Sequence, residues 1–259
     1  MSTSNPFSLD GKVALVTGGG RGIGAGIAKA MAEAGAAVTI VSRTKEQVDA
    51  TAAEITAAGG RVLGLSADLN DLGVLDEIIE RTVAEFGGLD ILVCNAGIAS
   101  RGNSVVDTDP AEMMRVVATH AFGPHHLARV AIPHIRRHPR GDIVMISSVA
   151  PQYNRANGAP YNMGKAAMES LAYTLANEER AHGIHVNVVA PGLVETDMGV
   201  RLARSFTGNR ELQDLRSLDA ASPFGRTCQP IDVANAVLWL CSENASYITG
   251  QRIVCNGGG

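Results

Sequence analysis

Tyr161 and Lys165 stand four residues apart, a spacing that on a helix sets a phenol and an ammonium on one face about a turn from each other. A phenol that trades protons near neutral pH needs its anion stabilised by about 4 kcal/mol relative to water. One cation at ~4 Å supplies roughly that at an effective dielectric near 20, but only ~1 kcal/mol in bulk water. The pair is therefore acid–base machinery only in a sheltered pocket. Ser148, upstream in the same stretch, adds a hydroxyl that can hold the oxygen receiving the proton.

Elements able to build such a pocket run along the whole chain. Short, β-branched, apolar runs alternate with helical patterns, as strands covered on both faces do. Strands are predicted at Val13 to Thr17, Ala37 to Val41, Arg61 to Leu65, Ile91 to Cys94, Asp142 to Ser147, His185 to Val189 and Arg252 to Cys255. This alternation predicts an α/β fold, a parallel sheet wound in right-handed crossovers with ligands outside the carboxyl ends of the strands. No linker, repeat or low-complexity segment breaks the 259 residues, so one domain over 1–259 is expected. The stretch from Glu195 to Arg226 leaves the rhythm. It is long, carries Gly199 and Gly208, and follows a strand end, where lids are commonly inserted.

Directly after the first strand, Gly18, Arg21, Gly22, Ile23 and Gly24 form the pattern T-G-x-x-x-G-x-G ahead of an apolar-periodic helix from Ile23 to Ala34. Glycines at a strand-to-helix turn let a pyrophosphate approach backbone N–H groups at a helix N-terminus, where the dipole favours an anion. A dinucleotide is the expected cofactor. Its kind is read at the end of the second strand, where NAD-preferring sites typically present a carboxylate to the ribose hydroxyls. Ser42 and Arg43 stand there instead and suit a 2′-phosphate, with Arg21 as a second cation. NADP(H) is expected over NAD(H).

With these residues in place, the chain resembles the short-chain dehydrogenase/reductase family in its compact branch, from Gly11 to the C-terminus. The matching motifs are the glycine turn, Asp68 with Leu69, Asn95-Ala96-Gly97, Ser148, Tyr161 with Lys165, Pro191-Gly192 with Thr196, and the closing run from Ile248 to Gly258. The resemblance implies a Rossmann-type doubly wound sheet of seven strands in the order 3-2-1-4-5-6-7, a three-layer αβα sandwich. It implies that Asp68 and Leu69 hold the adenine, that Asn95, Ala96 and Gly97 lie along the cofactor, and that Pro191, Gly192 and Thr196 meet its nicotinamide side. Tyr161 would exchange the proton with a carbonyl oxygen and Ser148 would place that oxygen. Lys165 would lower the Tyr161 pKa and hold the nicotinamide ribose. A homotetramer or homodimer is also implied, with helices around Ala111 to Ile135 and Tyr161 to Arg180 packing against partners.

One position departs from the family pattern. His120 stands where an asparagine is expected, in a place whose main-chain carbonyl supports a water leading from the lysine. Pro124, four residues on, has no N–H to give the His120 carbonyl, so that carbonyl is left for a water. The imidazole then either packs or adds a group titrating near neutral pH to the catalytic set.

Composition bounds the rest. A net charge of −4 without basic blocks argues against a nucleic-acid partner. The start carries neither a basic nor an apolar leader pattern and no run reaches membrane-span length, so no membrane is expected and the chain reads as cytoplasmic. Cys94, Cys228, Cys241 and Cys255 lack metal spacing, and His125, His126, His134 and His138 read as a helix face and loop, so no metal is expected. The leading reading is an NADP-dependent oxidoreductase of a ketone or secondary alcohol, in the style of a 3-oxoacyl thioester reductase. Arg201, Arg204, Arg210 and Arg216 near the lid either meet an acidic carrier or are solvated charges. A dehydrogenase of a steroid, sugar or other small alcohol, and a dinucleotide-binding sensor without turnover, stay open beside it.

Overall fold

The computed structural model describes residues 6–258; residues 1–5, part of the start read above for targeting, lie outside them. Its centre is a parallel sheet of β1 (Val13–Thr17), β2 (Ala37–Ser42), β3 (Arg61–Ser66), β4 (Ile91–Cys94), β5 (Gly141–Ile146), β6 (Ile184–Pro191) and β7 (Arg252–Cys255). The strand order is β3-β2-β1-β4-β5-β6-β7, as the resemblance implies. Each observed strand overlaps its predicted range, because apolar β-branched runs bounded by turns have few other ways to bury both faces.

Side chains alternate across the sheet with period two. Leu15, Leu92, Ile143 and Met145 face one core with α3 (Gly73–Phe86), α5 (Gly123–Ile135) and α7 (Ala159–Glu179). Val16, Val93, Val144 and Ile146 face a second core with α1 (Gly22–Glu33), α2 (Lys45–Ala57) and α9 (Pro230–Cys241). The three-layer αβα arrangement follows. Strand order reverses between β1 and β4, so the turns after these two strands splay apart and leave a crevice at their carboxyl ends.

The helical run before β5 differs from a continuous helix. Here α4 (Pro110–Val117) passes into a π turn at Ala118–Phe122 and then into α5, with the Gly123 N–H reaching back to the Ala118 carbonyl. The predicted lid stretch folds as α8 (Asp197–Thr207) and two short 3-10 turns, closing a small core of its own from Ala203, Leu212 and Leu215. Among the described residues no helix is long and apolar enough to cross a membrane.

Candidate active site

The glycine turn is built by exclusion of side chains. A Cβ on Gly24 would lie 2.2 Å from the Gly18 carbonyl oxygen, and one on Gly18, whose φ is +66°, would lie 2.8 Å from Asn95 Nδ2. Asn95 closes the crevice from the other side: its Nδ2 donates to the Thr17 carbonyl at 2.8 Å. Thr17, not singled out from sequence, receives the Asn95 and Ala96 N–H groups on its hydroxyl at 2.9 and 3.0 Å. α1 starts at Gly22 with no side-chain cap and no acidic residue in its first turn. Its first N–H groups therefore face the crevice as an anion site. This cradle, too narrow for any Cβ, fits a dinucleotide pyrophosphate.

A cleft of about 710 Å³ runs from this turn to the catalytic residues. Gly18, Arg21, Gly22, Ile23, Gly24, Ser42, Arg43, Asp68, Leu69, Asn95, Ala96, Gly97, His120, Tyr161, Lys165 and Thr196 all line it. Ser148, Pro191 and Gly192 do not. The half-buried Ser148 is joined to the cleft through Tyr161: its Oγ receives the Ala150 N–H at 3.1 Å and bonds the Tyr161 hydroxyl. Gly192 uses its N–H on the Cys255 carbonyl at 3.0 Å, tying the end of β6 to β7.

Arg21 lines the cleft, and its Nη1 pairs with the exposed Asp197 at 2.5 Å, joining the glycine turn to the start of α8. The Ser42 hydroxyl is buried and without a partner, and a Cβ on Gly20 would lie 2.7 Å from it. Arg43 remains at the cleft as an exposed cation. Asp68 spends one oxygen on its own turn, accepting from the Asn70 N–H and Nδ2 at 3.0 and 2.9 Å.

Tyr161 and Lys165 lie on one face of α7, but the ammonium does not sit at the phenol. Lys165 Nζ donates to the Ile146 carbonyl at 2.7 Å and lies 5.9 Å from the Tyr161 ring centre. Burial pushes Lys165 down to about 7, opposed by Cys94 and Glu169, while burial pushes Tyr161 up, opposed by its bond from Ser148. The expected direction is thus corrected. Burial brings the fully covered amine, and not the half-buried phenol, towards neutrality.

His120 is fully buried in the π turn. Its Nε2 bonds the Ile98 carbonyl at 2.8 Å, and its ring meets Tyr161 edge to face with centres 5.2 Å apart. Cβ atoms on Gly97 and Gly164 would come within 2.6 and 3.0 Å of it, so the imidazole is wedged between two glycines. Burial, then Lys165, pushes its pKa down to about 3. Of the two alternatives for this ring, packing fits and titration near neutral pH does not. Nε2 carries the proton to Ile98, which leaves Nδ1 a buried lone pair without a partner.

The lid arginines divide. Arg204 donates to the Leu212 carbonyl at 2.7 Å and Arg216 pairs with Glu195 at 3.4 Å, while Arg201 and Arg210 are exposed. Among the described residues no group of three or more metal-type ligands comes together.

Comparison with known proteins agrees with this geometry. The family described as Enoyl-(Acyl carrier protein) reductase matches residues 18–259. A versicolorin reductase of Emericella nidulans is 37% identical over 264 residues, covering 100% of this chain and 99% of that one. A 3-oxoacyl-[acyl-carrier-protein] reductase of Escherichia coli is 35% identical over 252 residues, covering 97% and 98%. The crystal structure of a short-chain type dehydrogenase/reductase from Mycobacterium marinum superposes with a TM-score of 0.89 at 32% identity, covering 99% and 98%.

Proposed function

The chain belongs to the short-chain dehydrogenase/reductase family and is an oxidoreductase acting on CH–OH groups; from that premise we propose that it reduces a ketone with NADP(H), a 3-oxoacyl thioester being the leading substrate class. The observation that carries this reading is that Tyr161 and Lys165 line the cleft that begins at the glycine turn, with Ser148 bonded to the Tyr161 hydroxyl. Backbone N–H groups of Gly18 to Gly24 would hold the pyrophosphate, Arg43 a 2′-phosphate, and Asp68 and Leu69 the adenine. No carboxylate stands between Ile40 and Thr44 to favour bare ribose hydroxyls, which supports NADP over NAD. When bound, the nicotinamide supplies the hydride.

The residues then handle the proton. Negative charge grows on the carbonyl oxygen in reduction, and Tyr161 donates to it while Ser148 places it by a second hydrogen bond. Lys165, near neutrality, returns a proton to Tyr161. Behind it we place a water on the His120 carbonyl, which Pro124 leaves without an N–H. The stretch from Glu195 to Arg226 acts as the lid, with Thr196 capping its helix α8. We further propose a cytoplasmic homo-oligomer.

Steady-state turnover of 3-oxoacyl thioester, steroid and sugar ketones with NADPH and with NADH tests the proposal. A higher kcat/KM with NADH would overturn the reading of Arg43. Turnover of no ketone or alcohol would leave the dinucleotide sensor instead.

A further inference from the structure

Behind Ser148 and Tyr161 lies a charged pair that the proton chemistry does not call on. Glu169 continues the Tyr161 and Lys165 face of α7 one turn further along. Its Oε1 accepts the Ser147 hydroxyl at 2.6 Å and Arg252 Nε at 3.0 Å. Arg252 opens β7 and uses its other nitrogens on the turn that carries the serine: Nη2 donates to the Ser148 carbonyl at 3.0 Å and Nη1 to Gln152 Oε1 at 3.2 Å. Both side chains are mostly covered, at 19% and 14% exposure. One rigid guanidinium fork therefore joins the catalytic helix, the edge strand and the backbone of Ser148.

We propose that Glu169 and Arg252 are a positioning pair that locks the turn from Ser147 to Gln152 onto α7, so that the Ser148 and Tyr161 hydroxyls meet at one point, and that places a carboxylate charge along the Lys165 face. The proposal rests on the functional reading above. Holding the turn alone would not require charge, since apolar packing of equal volume does as well or better than a buried ion pair. What charge adds is fixed donor direction and a field. The titratable groups bearing on Lys165 are Cys94 of β4, His120 of the π turn, and Tyr161 and Glu169 of its own helix. Burial pushes the Cys94 thiol and the Tyr161 phenol up and the His120 imidazole down, which leaves Glu169 as the carboxylate among these groups.

The test compares the full-length protein with Glu169→Gln and Arg252→Met. For the best ketone of the substrate panel, each variant is expected to lose about ten- to a hundred-fold in kcat. NADPH Kd is expected to stay within about two-fold. The Lys165 pKa is read without turnover by NMR of protein carrying ¹³Cε-lysine, the resonance being assigned through Lys165→Arg. Glu169→Gln is expected to lower it by about half a unit or more, and Arg252→Met not to lower it. The proposal is overturned by a kcat within about two-fold of wild type in both variants. It is equally overturned by a kcat loss matched by the same loss of NADPH affinity, or by an unmoved Lys165 titration in Glu169→Gln. Should Glu169→Gln fail to fold, Arg252→Met decides by kcat and Kd. Should wild type turn over no ketone or alcohol, the functional reading fails while the lysine titration still judges this one.

Discussion

At Lys165 the ammonium is held under the end of the sheet with a value near 7, and that fixes the direction of the pH dependence. Reduction consumes a proton that passes through the Tyr161 and Lys165 pair, and Lys165 carries one only below its pKa. Reductive kcat should therefore be highest below pH ~7 and fall as pH rises through it, while oxidation rises; pH–rate profiles in both directions check this, and their apparent values belong to the coupled pair. Tyr161→Phe removes the proton and should cut turnover by about 10² to 10⁴-fold. NADPH binding should persist, as fluorescence titration would show. His120→Asn should give a pH–rate profile superimposable on wild type, because an imidazole near 3 is neutral throughout the working range. A new or lost inflection between about pH 5 and 8 would restore a titrating role to that ring.

At the level of elements, the turn between β1 and α1 has the least tolerance. Gly24→Ala would drive a methyl to 2.2 Å from the Gly18 carbonyl, so the turn must open and the pyrophosphate cradle with it. NADPH Kd should rise by about ten-fold or more, readable by calorimetry, with the sheet intact by circular dichroism. This turn was legible in the sequence because glycine spacing directly reports where no side chain fits. Strand positions were legible for a related reason, since wholly apolar β-branched runs suit a strand covered on both faces. The π turn at Ala118–Phe122 was not. Pro124 marks only a missing N–H opposite the His120 carbonyl, while the wide turn itself accompanies a tertiary contact, an imidazole that reaches the Ile98 carbonyl between Gly97 and Gly164.

For the whole molecule, apolar side chains are left facing out on α4, the π turn and α7. Met114, Phe122, Met163 and Tyr173 are all exposed, on helices that pack against one another. We propose this face as the interface of the homo-oligomer. Phe122→Glu with Met163→Glu should lower the assembly state in analytical ultracentrifugation, and an unchanged sedimentation coefficient would place the interface elsewhere. By itself the sequence determined the strand alternation, the glycine turn and the Ser148, Tyr161 and Lys165 set, because each depends on residue type and local spacing. Only the tertiary structure decided which groups are buried and which distant partners they meet. Arg21 meets Asp197 across 176 positions of sequence, and Glu169 meets Arg252 across 83. Desolvation under the sheet moves Lys165 rather than Tyr161 to neutrality, since burial and partnership are properties of packing that no local spacing encodes.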